Sequence, residues 1–305
     1  MDFNRVAALA EQRAQARAAR DFTRADELRD AIDAAGWRVL DTADGFELVE
    51  KPPFEVFATL SEVDLVVAAP LVITVIADGW PDDLDTCIGA LVEQAPADAV
   101  ILVMDCGNVE GAGERAEEWA KANPERVRVV HIERTLMELG WAAVVSTAVD
   151  ISSCDVFAVM DMSTILEGDA FPALLAELES DEVIATGWKG VNVDVDDGWR
   201  SFTPADGGEV DAVLGYLMVL RRDAIEEVRP DPKAKFYRNA DMEWSLALRK
   251  AGGVIAVPSA ELPIRQDRHH GYHDSDPSYR DKQSKKTYDR LLQRFRGHTE
   301  ILAPR

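Results

Sequence analysis

Cysteine is scarce. The 305 residues hold three, Cys87, Cys106 and Cys154, too few and too scattered for a disulfide framework or a zinc knuckle, and they read as reduced thiols. No stretch reaches the ~18 uninterrupted apolar residues a membrane span takes. The opening MDFNRVAALAEQ places acidic and polar residues where a secretory leader carries its apolar run. The expectation is a cytoplasmic protein, with peripheral work at the inner membrane face left open. Cations are short as well: 33 Lys and Arg against 56 Asp and Glu give a net charge of −23. Duplex binding neutralises phosphates with Lys and Arg, so this balance argues against a nucleic-acid coat but not against a metal-bridged anionic substrate. A Walker lysine motif, a G-x-S-x-G elbow and an H-E-x-x-H pair are all missing.

What is present is a globular composition, 47% apolar and 29% charged, at a length that fits one α/β domain with a small appendage. The charge is unevenly spread: residues 1–51 carry a net −3, residues 265–305 a net +4, and the stretch between them −24. Three segments follow: an accessory module at 1–51, the main domain at 52–264 and a basic C-terminal loop and helix at 265–305. Lys51-Pro52-Pro53 marks the first boundary, because paired prolines block both helix and central strand.

In the first segment Val6, Leu9, Ala10 and Arg13 keep helical spacing; Asp21-Phe22-Thr23 breaks it, and Thr23 then reads as the N-cap of a second helix ending at Gly36. Two short strands, 37–40 and 46–49, follow, joined through Asp44-Gly45. Beyond Pro53, near-continuous apolar strands at 72–77, 100–104, 127–132, 156–160 and 183–186 alternate with helical stretches at 82–93, 112–122, 139–152 and 169–177. That alternation predicts an α/β fold with a mostly parallel sheet covered by helices, whose ligand site lies beyond the C-terminal ends of the strands.

Three of those ends carry an aspartate: Asp78, Asp105 and Asp161. One such Asp commonly caps a turn; three on one edge place carboxylates in one crevice, suited to ribose hydroxyls, base amides and a hard divalent cation. Gly111-Ala112-Gly113-Glu114-Arg115-Ala116, with Glu133 further on, mimics a dinucleotide fingerprint. The motif's first glycine has to follow its strand at once, and six residues intervene here, so an NAD enzyme is set aside. Asp194-Val195-Asp196-Asp197 reads as a solvated turn, and Trp80, beside Asp78, as packing or as a stacking face for a base or sugar.

Two resemblances attach to these residues. Ala16 to Leu48, ARAARDFTRADELRDAIDAAGWRVLDTADGFEL, resembles the small C-terminal module of bacterial cysteinyl-tRNA synthetases and includes none of their catalytic motifs. It implies a borrowed tRNA-contacting module or a recycled structural piece; the net −3 and the lack of a basic stripe favour the structural piece. Residues 71–264 resemble a family 2 glycosyltransferase of the GT-A fold. Ile101–Asn108, ILVMDCGN, is similar to the strand that usually ends "VVDNGS"; Val156–Leu174, VFAVMDMSTILEGDAFPAL, to the "D-x-D" strand; and Asn239–Gly252, NADMEWSLALRKAG, to the "EDxxLSLRLRxAG" helix.

The resemblance implies transfer of a sugar from a nucleotide-diphospho-sugar donor to an acceptor hydroxyl, with inversion and help from Mn or Mg. The acceptor class (glycan, lipid carrier, small molecule or protein) stays open. Carried over, Asp78 and Asp105 contact the nucleoside, Asp161 reaches the metal or ribose, and Asp241 is the general base. Two departures stand out: Ser163 replaces the second Asp of D-x-D, and Ala240 replaces the Glu beside Asp241, with Glu243 as a substitute. The C-terminal run Arg265–His273 offers a histidine to complete the metal site, His270 first and His269 and His273 next, with Arg238 a further phosphate or acceptor contact. A solvated loop weighs equally for these histidines. The rival readings are a catalytically degenerate nucleotide-sugar or glycan binder, kept alive by Ser163 and Ala240, and an RNA-associated protein resting on the first segment alone.

Overall fold

The structure, a computed structural model, describes residues 3–42 and 45–305. The chain divides into two compact units, Met1–Glu55 and Val56–Arg305.

In the first unit, helices α1 (Phe3–Ala18) and α2 (Phe22–Ala34) precede an antiparallel hairpin of β1 (Trp37–Thr42) and β2 (Gly45–Glu50). Val6, Ala10, Ile32 and Val39 form its core. Arg13 is buried, and its guanidinium meets the Asp41 carboxylate with two hydrogen bonds of 2.8 and 3.1 Å; Arg17 adds a third at 2.8 Å. Two of the arginines on the helical stripe thus tie helix to hairpin. The cap of α2 is Asp21, not Thr23: its carboxylate accepts the Arg24 N–H at 3.1 Å, so the helix starts earlier, at Phe22. Gly36, at φ +83°, ends it as expected. Of the expected hairpin turn, Asp44 lies outside the described residues.

The second unit runs β3 (Leu71–Ala77), α3 (Pro81–Gln94), β4 (Val100–Cys106), α4 (Ala112–Ala122), β5 (Val127–Ile132), α5 (Trp141–Ile151), β6 (Val156–Met160), α6 (Phe171–Glu177), β7 (Val183–Gly187), β8 (Leu217–Arg221), α7 (Ala240–Lys250), β9 (Val254–Val257) and α8 (Pro277–Phe295). One eight-stranded sheet has the order Gly208–Glu209, β9, β7, β8, β6, β3, β4, β5. The left-to-right run β6, β3, β4, β5 is parallel throughout, and β8 enters antiparallel between β6 and β7. β3 and β4 are apolar along nearly their whole length because both faces are covered: Val72 and Leu102 point into one buried cluster, Ile73 and Ile101 into the other. Each such side chain contributes about 1.5–3 kcal/mol through burial. α5 begins at Trp141 rather than 139, since Gly140 adopts φ +92° and breaks the helix there. Among the described residues no helix is long and apolar enough to cross a membrane.

A smaller pairing sets the site. Ile264–Gln266 runs antiparallel to Thr164–Leu166, with Gln266 opposite Thr164, and the Asp267 N–H then reaches the Ser163 carbonyl at 2.8 Å. Continued outward, this register sets residue 269 opposite residue 161.

Candidate active site

The C-terminal ends of β3 and β6 open into a tight pocket of about 60 Å³, lined by Asp78, Trp80, Asp161, Tyr237, Asp241 and His269 among others. It is continuous, through Asp161, Gly215, Tyr237, Asp241 and His269, with an outer groove of about 800 Å³.

Asp161 terminates β6, and one carboxylate oxygen is held by the Ser163 hydroxyl and N–H, at 2.5 and 2.8 Å. The other meets Nε2 of His269 at 2.7 Å. Burial pushes the Asp161 carboxyl up, but His269 and Ser163 outweigh it and hold it below the usual carboxylate range. His269 is itself oriented: the Tyr237 hydroxyl lies 3.2 Å from Nδ1, and the two rings pack 4.7 Å apart. The Tyr237 phenol is pushed up by burial and by the nearby carboxylates of Asp161 and Asp78.

Asp78, at the end of β3, keeps part of its surface open to the pocket. Burial, reinforced by Asp161, pushes its carboxyl up to about 7, His269 opposing. Asp241 sits in the first turn of α7, which starts from the left-handed Asn239 (φ +68°). One of its oxygens accepts the Gly215 N–H at 2.7 Å and the other the Met242 N–H at 2.8 Å. Burial still dominates and raises this carboxyl to about 6.

Five of the site residues singled out from sequence therefore line one cleft: Asp78, Asp161, Asp241, His269 and, at its rim, His270. Others go elsewhere. The ring that reaches Asp161 belongs to His269 and not to His270, whose Nδ1 bonds Asp274 at 2.5 Å and whose ring stacks on Trp80 at the pocket rim. Asp105 does not line the pocket or the groove; its carboxylate turns inward to His131 Nδ1 at 2.8 Å and to the Asn108 N–H at 3.1 Å. Gly113 packs against it so closely that a Cβ would come within 2.4 Å, which explains a glycine of the dinucleotide mimic without any cofactor. Glu243 faces away from the cleft and pairs with Arg290 and Arg294 of α8, at 2.7 and 3.0 Å, so it does not substitute beside Asp241. His273 and Arg238 line the outer groove. Tyr237, Gly215 and Arg200 were not legible as site residues: each lies in an irregular segment without a spacing signal.

The donor set formed by the Asp161 carboxylate, the His269 imidazole and the Ser163 hydroxyl suits a divalent cation with oxygen and nitrogen ligands. Among the described residues no three His, Cys, Asp or Glu gather as a complete ligand shell. A divalent cation bound here would be held by Asp161 and His269 and would supply positive charge to phosphate oxygens.

The chain is similar in structure to GalNAc-T7 with UDP, GalNAc and Mn2+, at a TM-score of 0.61 and 15% identity over 74% of this chain and 48% of that one, so it spans about half that protein. It is also similar to the mannosyltransferase PcManGT from Pyrobaculum calidifontis in complex with GDP-Man and Mn2+, at a TM-score of 0.58 and 14% identity over 82% of this chain and 72% of that one. At these identities the likeness is one of fold. The N-terminal stretch is similar to the Cysteine--tRNA ligase of Opitutus terrae, 56% identical over 43 residues, which are 14% of this chain and 9% of that protein. The family model of glycosyl transferase family 2 matches residues 71–239, more than half of the chain, and the chain belongs to that family.

Proposed function

We propose that this protein is an inverting hexosyltransferase that moves a sugar from a nucleotide-diphospho-sugar to an acceptor hydroxyl, with a divalent cation held by Asp161 and His269. The observation that carries the reading is the convergence of Asp78, Asp161, His269 and Asp241 on one cleft at the C-terminal edge of the sheet. Asp241 takes the proton of the acceptor hydroxyl as its oxygen bonds the anomeric carbon; the bond from that carbon to the diphosphate breaks, and the electron pair leaves with the diphosphate. A carboxyl near 6 is ionised at neutral pH yet more basic than an exposed aspartate, which suits a general base. The N–H groups of Gly215 and Met242 hold both its oxygens in place. Among the described residues Asp161 and Asp241 are the two carboxylates that line the outer groove; Asp161, beside His269, is kept for the cation, which leaves Asp241 for the proton. Asp78 accepts ribose or base groups at the inner pocket. When bound, a divalent cation offsets the charge growing on the departing diphosphate. Tyr237 keeps the His269 ring turned toward Asp161.

In this reading residues 52–264 are the transferase domain, 265–305 complete its site through His269, and 1–51 are an accessory module with a structural role. The protein works in the cytoplasm. The test is thermal stability against UDP-, GDP-, dTDP- and ADP-sugars, each with and without Mn²⁺. A donor at a hundred times its dissociation constant adds about 2.7 kcal/mol, and one nucleotide should stabilise only with metal present. No shift with any donor overturns the reading. Metal-dependent binding without turnover in any acceptor assay makes the protein a nucleotide-sugar binder.

A further inference from the structure

The outer groove lacks the acidity of the protein. The chain carries a net −23, yet among the described residues two carboxylates, Asp161 and Asp241, line this groove against two guanidiniums, and both carboxylates sit at its inner end and are hydrogen-bonded there. The rest of the wall carries Arg200, Arg238 and His273. Among the described residues neither arginine has a carboxylate in salt-bridge contact, whereas Arg265, Arg268, Arg290 and Arg294 of the C-terminal region are all paired. Arg238 sits over the Tyr272 ring, 4.8 Å from its centroid, and its charge opposes the burial that raises Asp241.

Arg200 is presented by a rigid turn. Asp194 accepts the Asp197 N–H at 3.0 Å, Asp197 accepts the Arg200 N–H at 2.7 Å, and Tyr288 of α8 donates to the Trp199 carbonyl at 2.9 Å. Trp199 itself is buried in a left-handed conformation (φ +69°). The carboxylates of Asp194 and Asp197 are therefore spent on backbone N–H groups and on the Ser201 hydroxyl. Asp197 lies within electrostatic reach of Arg200 but makes no ion pair with it.

From this juxtaposition we infer that the outer groove is an acceptor subsite for an anionic molecule, one whose phosphate or carboxylate is taken by Arg200 and Arg238 while its hydroxyl faces Asp241. The inference rests on the transferase reading and names its acceptor class. Guanidinium forks match carboxylate and phosphate oxygens in pairs. The diphosphate of the donor belongs with Asp161 and His269, at the other end of the cleft.

The experiment first saturates the protein with the nucleoside diphosphate it binds and Mn²⁺, then titrates glycerol 3-phosphate, D-glycerate and glycerol by calorimetry. Failure of the nucleotide to bind counts against the transferase reading and is seen before any acceptor probe is added. In the loaded protein at least one anion should bind saturably and about tenfold or more tighter than glycerol, the two anions showing whether phosphate or carboxylate is preferred. Arg200→Gln and Arg238→Gln should each weaken that binding about tenfold or more, the nucleotide step reporting that both variants fold. No preference for anions over glycerol, or anion binding that survives both substitutions, overturns the inference. So does a loss in Arg238→Gln confined to nucleotide affinity, which assigns that arginine to the donor.

Discussion

Two groups of carboxylates lie on either side of α7, and their surroundings differ in one respect. On the cleft side, the partly buried Asp78 and the buried Asp241 have no cation in salt-bridge contact, and desolvation lifts them to about 7 and about 6. On the far side, where the C-terminal segment packs, the buried Glu243 and Asp211 each have an arginine. Glu243 takes Arg290 and Arg294. Glu209 takes Arg249 at 2.7 Å, and the fully buried Asp211 takes Arg305 at 2.8 Å together with the N–H groups of Val193 and Ala303. Asp241 and Glu243 are two residues apart on one helix, so the sequence brings them together and the helix turns them to opposite sides. A charge buried with its counter-ion organises the fold; one buried without it costs stability and retains basicity.

The largest expected effect breaks the cleft side. Asp241→Asn should cut transfer about 10²–10⁴-fold, measured as product formed per turnover, while metal-dependent nucleotide binding persists. Asn keeps only one acceptor oxygen for the two N–H groups of Gly215 and Met242, so its stability should not rise. Next, His269→Ala should lower metal-dependent nucleotide affinity by about 10–100-fold or more, and Tyr237→Phe, which acts only through the ring it orients, by less, both read by calorimetry with and without Mn²⁺.

The clamp side answers in stability instead. Glu243→Gln should cost about 2–4 kcal/mol in denaturant melts, because it strands Arg290 and Arg294 against a neutral group, and should leave the acid limb of the pH–rate profile where it was. Asp78→Asn runs the other way. The carboxyl titrates near 7 folded and near 3.8 unfolded, so between those values the native state holds the extra proton and stability falls as pH rises through this window. Removing the charge should therefore stabilise the protein by about 1–2 kcal/mol at pH 8 and by little at pH 4, at the expense of donor binding. A destabilised Asp78→Asn at pH 8 breaks the comparison.

Much of the fold was legible because it rests on periodicity: apolar strands alternating with helices leave few arrangements other than a covered parallel sheet. Asp78 and Asp161 were legible because strand ends mark them, and Asp241 through the resemblance of Asn239–Gly252 to a family helix. Side-chain direction was not. Asp105 closes an apolar run in the sequence just as Asp78 does, but it lies within β4, where His131 on the neighbouring β5 draws it inward. The choice between His269 and His270 depends on the antiparallel register of Ile264–Gln266 on Thr164–Leu166, a long-range pairing that adjacent histidines do not reveal. Glu243 needed the far arginines of α8 to be placed.

The most direct test of the account is the pH dependence of kcat/KM for transfer, in the wild type and in Asp241→Asn. An acid limb near pH 6 in the wild type, absent from the residual activity of the variant, is the predicted result. An unchanged limb in the variant, or transfer at the wild-type rate, contradicts the assignment of Asp241 as the base.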